Sequence, residues 1–87
     1  MTVEAEQMSD IDALRQEIDR LDAEILAAVK RRKEVSQEIG RARMASGGTR
    51  LVHSREMKVI ERYSVLGPEG KSLAMLLLQM GRGRLGH

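Results

Sequence analysis

Apolar residues recur along the first half of the chain at alternating intervals of three and four: Leu14, Ile18, Leu21, Ile25, Ala28, then Val35, Ile39 and Ala42. That spacing predicts one long amphipathic helix whose stripe packs against another helix. From Asp10 to about Ala45 the only glycine or proline is Gly40, and good helix formers dominate. Met1 to Met8 reads as a polar lead that frays. Ser9 is placed to cap the helix, with Asp10 and Asp12 near its positive dipole end. A helix of roughly 35 residues is about 50 Å long at ~1.5 Å per residue. A compact domain of 87 residues is far narrower than that. The helix must therefore pack on something besides its own chain, most simply a second copy.

Ser46-Gly47-Gly48-Thr49 ends the helix, because glycine accepts a left-handed cap. Arg50 to Ser54 connects, with Thr49 and Ser54 both candidate caps for the next helix. That second helix is expected to run to about Val65, with Met57, Ile60 and Tyr63/Ser64 facing inward. Leu66-Gly67-Pro68-Glu69-Gly70 reads as a turn. A short third helix then covers about Lys71 to Met80, with Leu73, Leu76, Leu77 and Met80 on one face. The tail Gly81 to His87 is too rich in glycine to hold order alone. The expected architecture is a single all-α domain over residues 1–87, built of a long, a medium and a short helix. Residues 1–9 are expected to be disordered, residues 81–87 to form a flexible tail, and two chains to intertwine as a helical homodimer.

Composition narrows the chemistry. Tyr63 is the only aromatic residue, so the core must be aliphatic, with six methionines as adaptable filler. There is no cysteine, hence no disulfide, thiolate nucleophile or thiolate metal site. The N-terminus lacks the basic start and apolar core of a signal peptide, and the longest apolar run, Leu73 to Leu78, is too short to span a membrane. A cytoplasmic location is expected. The formal charge of +2 fits an anionic small molecule without requiring nucleic acid.

The candidate chemistry lies in a break of the stripe. Arg32 stands where a leucine or isoleucine belongs, and Arg43 flanks the stripe further on. A guanidinium keeps its proton, so burying it without an anion is costly. No Asp or Glu lies in that seam near Arg32 or Arg43, which points to an anionic ligand. The two arginines are eleven residues apart and point the same way within about 20°, roughly 16 Å apart along the axis. Small dianions fit such a gap. Arg15 lies about 25 Å from Arg32 and is rotated by about 100°, so it reaches Arg32 only in a second chain. Taken alone, Arg15 reads as a solvated helix arginine beside Asp12 or Asp19. Arg55 and Glu56 open the second helix. No nucleophile–base pair emerges around His53, and Gly47-Gly48 lacks the residues of a phosphate loop. Catalysis with these groups works by orientation and electrostatic stabilisation.

DRLDAEILAAVKRRKEVSQEIGRARM, then a glycine-rich loop and HSREMKVIERY, resembles the all-helical chorismate mutases, in particular the short stand-alone mutases of actinobacteria. The resemblance covers Ile11 to His87. Its specific parts are the IDRLD start, the Arg31-Arg32 pair, Arg43 twelve residues beyond Arg31, and the Arg55-Glu56 pair. It implies a dimer with two shared sites that convert chorismate to prephenate, for phenylalanine and tyrosine synthesis, by an intramolecular Claisen rearrangement. Arg32 and the partner's Arg15 would bind substrate carboxylates, and Arg55 would reinforce them. Arg43 would face the ether oxygen, and Glu56 would accept a hydrogen bond from the ring hydroxyl. Thr49 and Val52 complete the implied substrate-binding set. No metal, cofactor or covalent intermediate is implied.

Two positions depart from better-known members. Val52 stands where they carry an Asp, and the third helix offers only Gln79 where they supply a Gln or Glu to the ether oxygen. The resemblance also implies activation by a DAHP synthase, for which the tail, with Arg82, Arg84 and Leu85, is the expected regulatory element. Two alternatives compete. Isochorismate-pyruvate lyase uses the same scaffold, although ASGGTRLVHSRE looks like the mutase version. A non-enzymatic helical dimer binding protein or nucleic acid would need a clean basic stripe, and Glu17, Asp19, Asp22, Glu24, Glu34 and Glu38 interrupt it.

Overall fold

A computed structural model describes residues 3–48 and 52–82, with side chains from residue 10 onward. The described residues form three α-helices: α1 (Val3–Ala45), α2 (His53–Tyr63) and α3 (Pro68–Arg82), with a 3-10 turn at Ser64–Leu66 between the last two. No strand occurs among the described residues.

α1 is 43 residues long and starts at Val3, not at the Ser9 cap that the sequence predicts. The lead segment is itself built largely of helix formers. The C-terminus ends as expected. Gly47 takes φ +85°, a conformation open to glycine because it lacks a Cβ. The Gly48 amide donates to the Arg43 carbonyl at 2.7 Å and the Gly47 amide to the Met44 carbonyl at 3.2 Å. Those two bonds are the Schellman closure, and they tie down the backbone of the turn that carries Arg43.

α2 starts at His53, capped by the extended backbone of Val52 without a side-chain bond. Ser54 therefore lies inside the helix and does not cap it. α2 stops at Tyr63 instead of Val65, because the backbone tightens into the 3-10 turn. α3 starts three residues earlier than predicted and runs two further. Pro68 occupies the first helical position, where its missing N–H is no loss, and Glu69 faces the dipole end.

The core face of α3 is Gly70, Ala74, Leu77 and Gly81, whereas Leu73, Leu76 and Met80 are 39%, 58% and 39% exposed. The inward row is thus rotated from the leucine row expected, because small residues let helices approach closely. On α2 the buried residue is Val59, while Met57 is exposed and Ile60 and Tyr63 are half-buried. Gly81, expected in a loose tail, is buried in α3 against α1. A Cβ there would overlap Ser36 Oγ and lie 2.8 Å from Ser36 Cβ. We expect Gly81→Ala to destabilise the protein by about 1–2 kcal/mol, the overpacking cost outweighing alanine's better helix propensity. Denaturant unfolding of Gly81→Ala, and of Gly81→Ala with Ser36→Gly, checks this. Recovery in the double variant supports the close approach, and an unshifted midpoint in the single variant contradicts it.

α3 packs on α1 and on α2, while α1 and α2 make no close backbone contact with each other among the described residues. The chain is elongated, 68 × 23 × 18 Å, with a radius of gyration of 18.9 Å. A compact chain of this length would have about 12 Å. Ile11, Leu14, Ile18, Leu21 and Ile25, the apolar row of the first half of α1, are 40–62% exposed. Residues 1–2, 49–51 and 83–87, and with them Thr49, Arg84 and Leu85, lie outside the described residues.

Candidate active site

The second half of α1, α2 and α3 border an open cavity of about 520 Å³. α1 contributes Ala28, Arg31, Arg32, Val35, Ser36 and Ile39; α2 contributes Arg55 and Val59; α3 contributes Leu78. Helical repeat explains the set. Arg32, Ser36 and Arg31, Val35 are pairs four residues apart on α1, and Arg55 and Val59 are four apart on α2. Three guanidinium groups line the cavity, with no carboxylate among the described lining residues. The remaining walls are mostly aliphatic. Such a site suits a small anion with an apolar body, and its size is typical of a small-molecule pocket.

Arg32 is half-buried, as the break in the stripe suggested. Its Nη1 donates to the Leu77 carbonyl of α3 at 3.2 Å. That bond orients the guanidinium while its other N–H groups remain available. Arg31 also lies at the cavity wall, and its Nη1 meets Glu34 Oε1 at 3.4 Å. Both groups of that pair are more than half exposed, so the pair contributes little.

Glu56 is not a described lining residue. It sits half-buried in the first turn of α2, and both of its carboxylate oxygens accept from Arg82 of α3. Arg82 Nε donates to Oε2 at 2.9 Å, and Nη2 donates to Oε1. The structure thus brings Arg32 and Arg55 together and places Arg43 apart, exposed in the last turn of α1. Arg15 is exposed on the half of α1 that α3 does not cover. Val52 is half-buried as the α2 cap, and Gln79 is exposed. Sequence reasoning missed Ser36 and Val59, although each is four residues from a candidate arginine. It also placed Arg82 in the tail, and nothing in the sequence singled out Leu78.

The model of the family Chorismate mutase type II matches residues 14–78, which include the whole cavity lining. The chain belongs to the type II chorismate mutases. This is a family of intramolecular isomerases, and the match runs through both helices that carry the candidate arginines. The intracellular chorismate mutase of Mycobacterium tuberculosis is 76% identical over 85 residues, 98% of this chain and 81% of that protein. The protein of the same name from Mycolicibacterium smegmatis is 76% identical over 79 residues, 90% of this chain and 76% of that protein. Among solved structures, the complex of DAHP synthase and chorismate mutase from Corynebacterium glutamicum, with a bound transition-state analogue, matches with a TM-score of 0.84. Identity there is 56%, covering 92% of this chain and 98% of that one. No described helix of this mutase is long and apolar enough to cross a membrane.

Proposed function

We propose that the chain converts chorismate to prephenate in the cavity headed by Arg32, as one domain of 87 residues. The observation that carries this reading is the convergence of Arg31, Arg32 and Arg55 from two helices on one cavity without a lining acid. Chorismate is a dicarboxylate with an apolar ring. In the rearrangement one C–O bond breaks and one C–C bond forms within a single molecule, so no nucleophile or proton relay is needed. The protein must select the compact diaxial conformer and meet the negative charge that develops on the ether oxygen.

In this reading Arg32 binds a substrate carboxylate, already oriented by the Leu77 carbonyl. Arg55 reinforces the carboxylate contacts across the cavity. Arg43 swings from the exposed last turn of α1 to the ether oxygen. Glu56 accepts the ring hydroxyl. Thr49 and Val52, flanking the start of α2, border the substrate. No metal or cofactor takes part.

The site is completed by a second copy of the chain. Support comes from the elongated protomer and from the apolar row Ile11 to Ile25, exposed along α1 and not covered by the other described residues. Two such rows packed together would form the intertwined homodimer and bring the partner's Arg15 toward Arg32. The relatives' name, intracellular chorismate mutase, supports a cytoplasmic enzyme. The Corynebacterium neighbour's complex supports a DAHP synthase as partner and activator. The deciding experiment measures the ultraviolet loss of chorismate on adding the purified protein, with and without a DAHP synthase, and repeats it with isochorismate. Turnover of chorismate to prephenate, raised by the synthase, is expected. Pyruvate release from isochorismate with no chorismate turnover would overturn the assignment.

A further inference from the structure

α3 is the only described helix that touches both others, and its last turns reach the candidate site from two directions. On the α1 side, the Leu77 carbonyl accepts from Arg32 Nη1 at 3.2 Å, and Gly81 lies against Ser36. On the α2 side, Arg82 grips the carboxylate of Glu56 with Nε and Nη2. The side chains of that pair are 30% and 18% exposed, so the contact is partly shielded from solvent, unlike the surface pairs on α1. Two parallel N–H···O bonds fix a carboxylate's plane as well as its place, which a single lysine bond does not.

We propose that Arg82 is a positioning residue for the mutase reaction, holding the Glu56 carboxylate while the Leu77 carbonyl holds Arg32, so that the end of α3 sets the spacing between the groups α1 and α2 offer to substrate. The proposal rests on the mutase reading. The fork uses one lone pair on each Glu56 oxygen and leaves the others to accept a substrate hydroxyl. It also places a positive charge beside the carboxylate that directly follows Arg55 on α2, near a site meant for a dianion. Without Arg82, the Glu56 charge repels the substrate carboxylates and its side chain is free to change rotamer.

The test is a double-mutant cycle on the full-length chain, read as kcat and KM for chorismate. Arg82→Ala is expected to lower kcat/KM by between about tenfold and a hundredfold, the scale of an ångström-level misplacement, with KM rising. Arg82→Lys, which keeps the charge and loses the fork, is expected to restore KM more than kcat. In a Glu56→Gln background, Arg82→Ala is expected to change kcat/KM by less than about twofold, since the carboxylate it positions is gone. Thermal unfolding of all four proteins separates this from a helix-end effect, which lowers the midpoint equally in both backgrounds and gives additive losses in rate. An active wild type with additive losses, or Arg82→Ala indistinguishable from wild type, overturns the proposal alone. An inactive wild type overturns the mutase reading and this one with it.

Discussion

Arg43→Ala is expected to lower kcat/KM for chorismate by about a hundredfold or more, a loss of roughly 3 kcal/mol, the size seen when a donor to a developing oxyanion is removed. Helix geometry puts Arg43 on the Arg32 side of α1, about three turns further along. Its side chain makes no ion pair among the described residues and stands exposed in the last turn, outside the described lining of the cavity. The backbone beneath it is closed by the Gly47 and Gly48 amides, so the side chain moves on a fixed base. A cation that is solvated in the free chain and meets charge only as the C–O bond breaks adds more to the transition state than to substrate binding. The loss is therefore expected mainly in kcat, with a smaller change in KM. Steady-state kinetics on a variant whose assembly matches wild type checks this. A fall of less than tenfold would move the ether-oxygen role to another cation.

The long helix was legible because a single pattern covers it. Thirty-odd residues without proline, one glycine and a stripe at helical spacing leave no competing structure. Its end was legible for an equally local reason, the Gly47-Gly48 pair. α3 was not, because its glycines are tertiary contacts and not punctuation. Gly81 lets α3 approach Ser36 closely, and that contact exists only once α1 is in place. Reading Gly81 as the start of a tail removed Arg82 from the helix and hid its partner Glu56, twenty-six residues back in the chain. Arg32 announced itself as a cation in an apolar row, a conflict visible without any fold. Arg55 and Glu56 gave no such conflict: on a short, polar helix two charges look like solvated surface. Their place at the start of the second helix made them candidates and the resemblance to a family gave them roles, but only the fold shows that one of them lines the cavity while the other is held by α3.

Mixing Arg15→Ala with Arg32→Ala is expected to restore activity that neither variant has alone. α3 covers only the second half of α1, so Arg15 has no route to the cavity within its own chain. It lies about 25 Å from Arg32 along the helix. If a second copy packs on the exposed row from Ile11 to Ile25, its Arg15 approaches the first chain's Arg32. Each site then takes Arg32 from one chain and Arg15 from the other. In a mixed dimer the chain carrying Arg15→Ala supplies an intact Arg32, and the chain carrying Arg32→Ala supplies an intact Arg15. One site is whole and the other doubly damaged. Random exchange of equal amounts makes half the dimers mixed, so about a quarter of all sites recover by symmetry. Arginines serving one site within a single chain would leave every site with one of the two defects, and mixing would restore nothing. Native mass spectrometry shows whether chains have exchanged, and chorismate turnover before and after exchange gives the answer. Full exchange without any gain in turnover would separate Arg15 from the site and leave it a solvated arginine on α1.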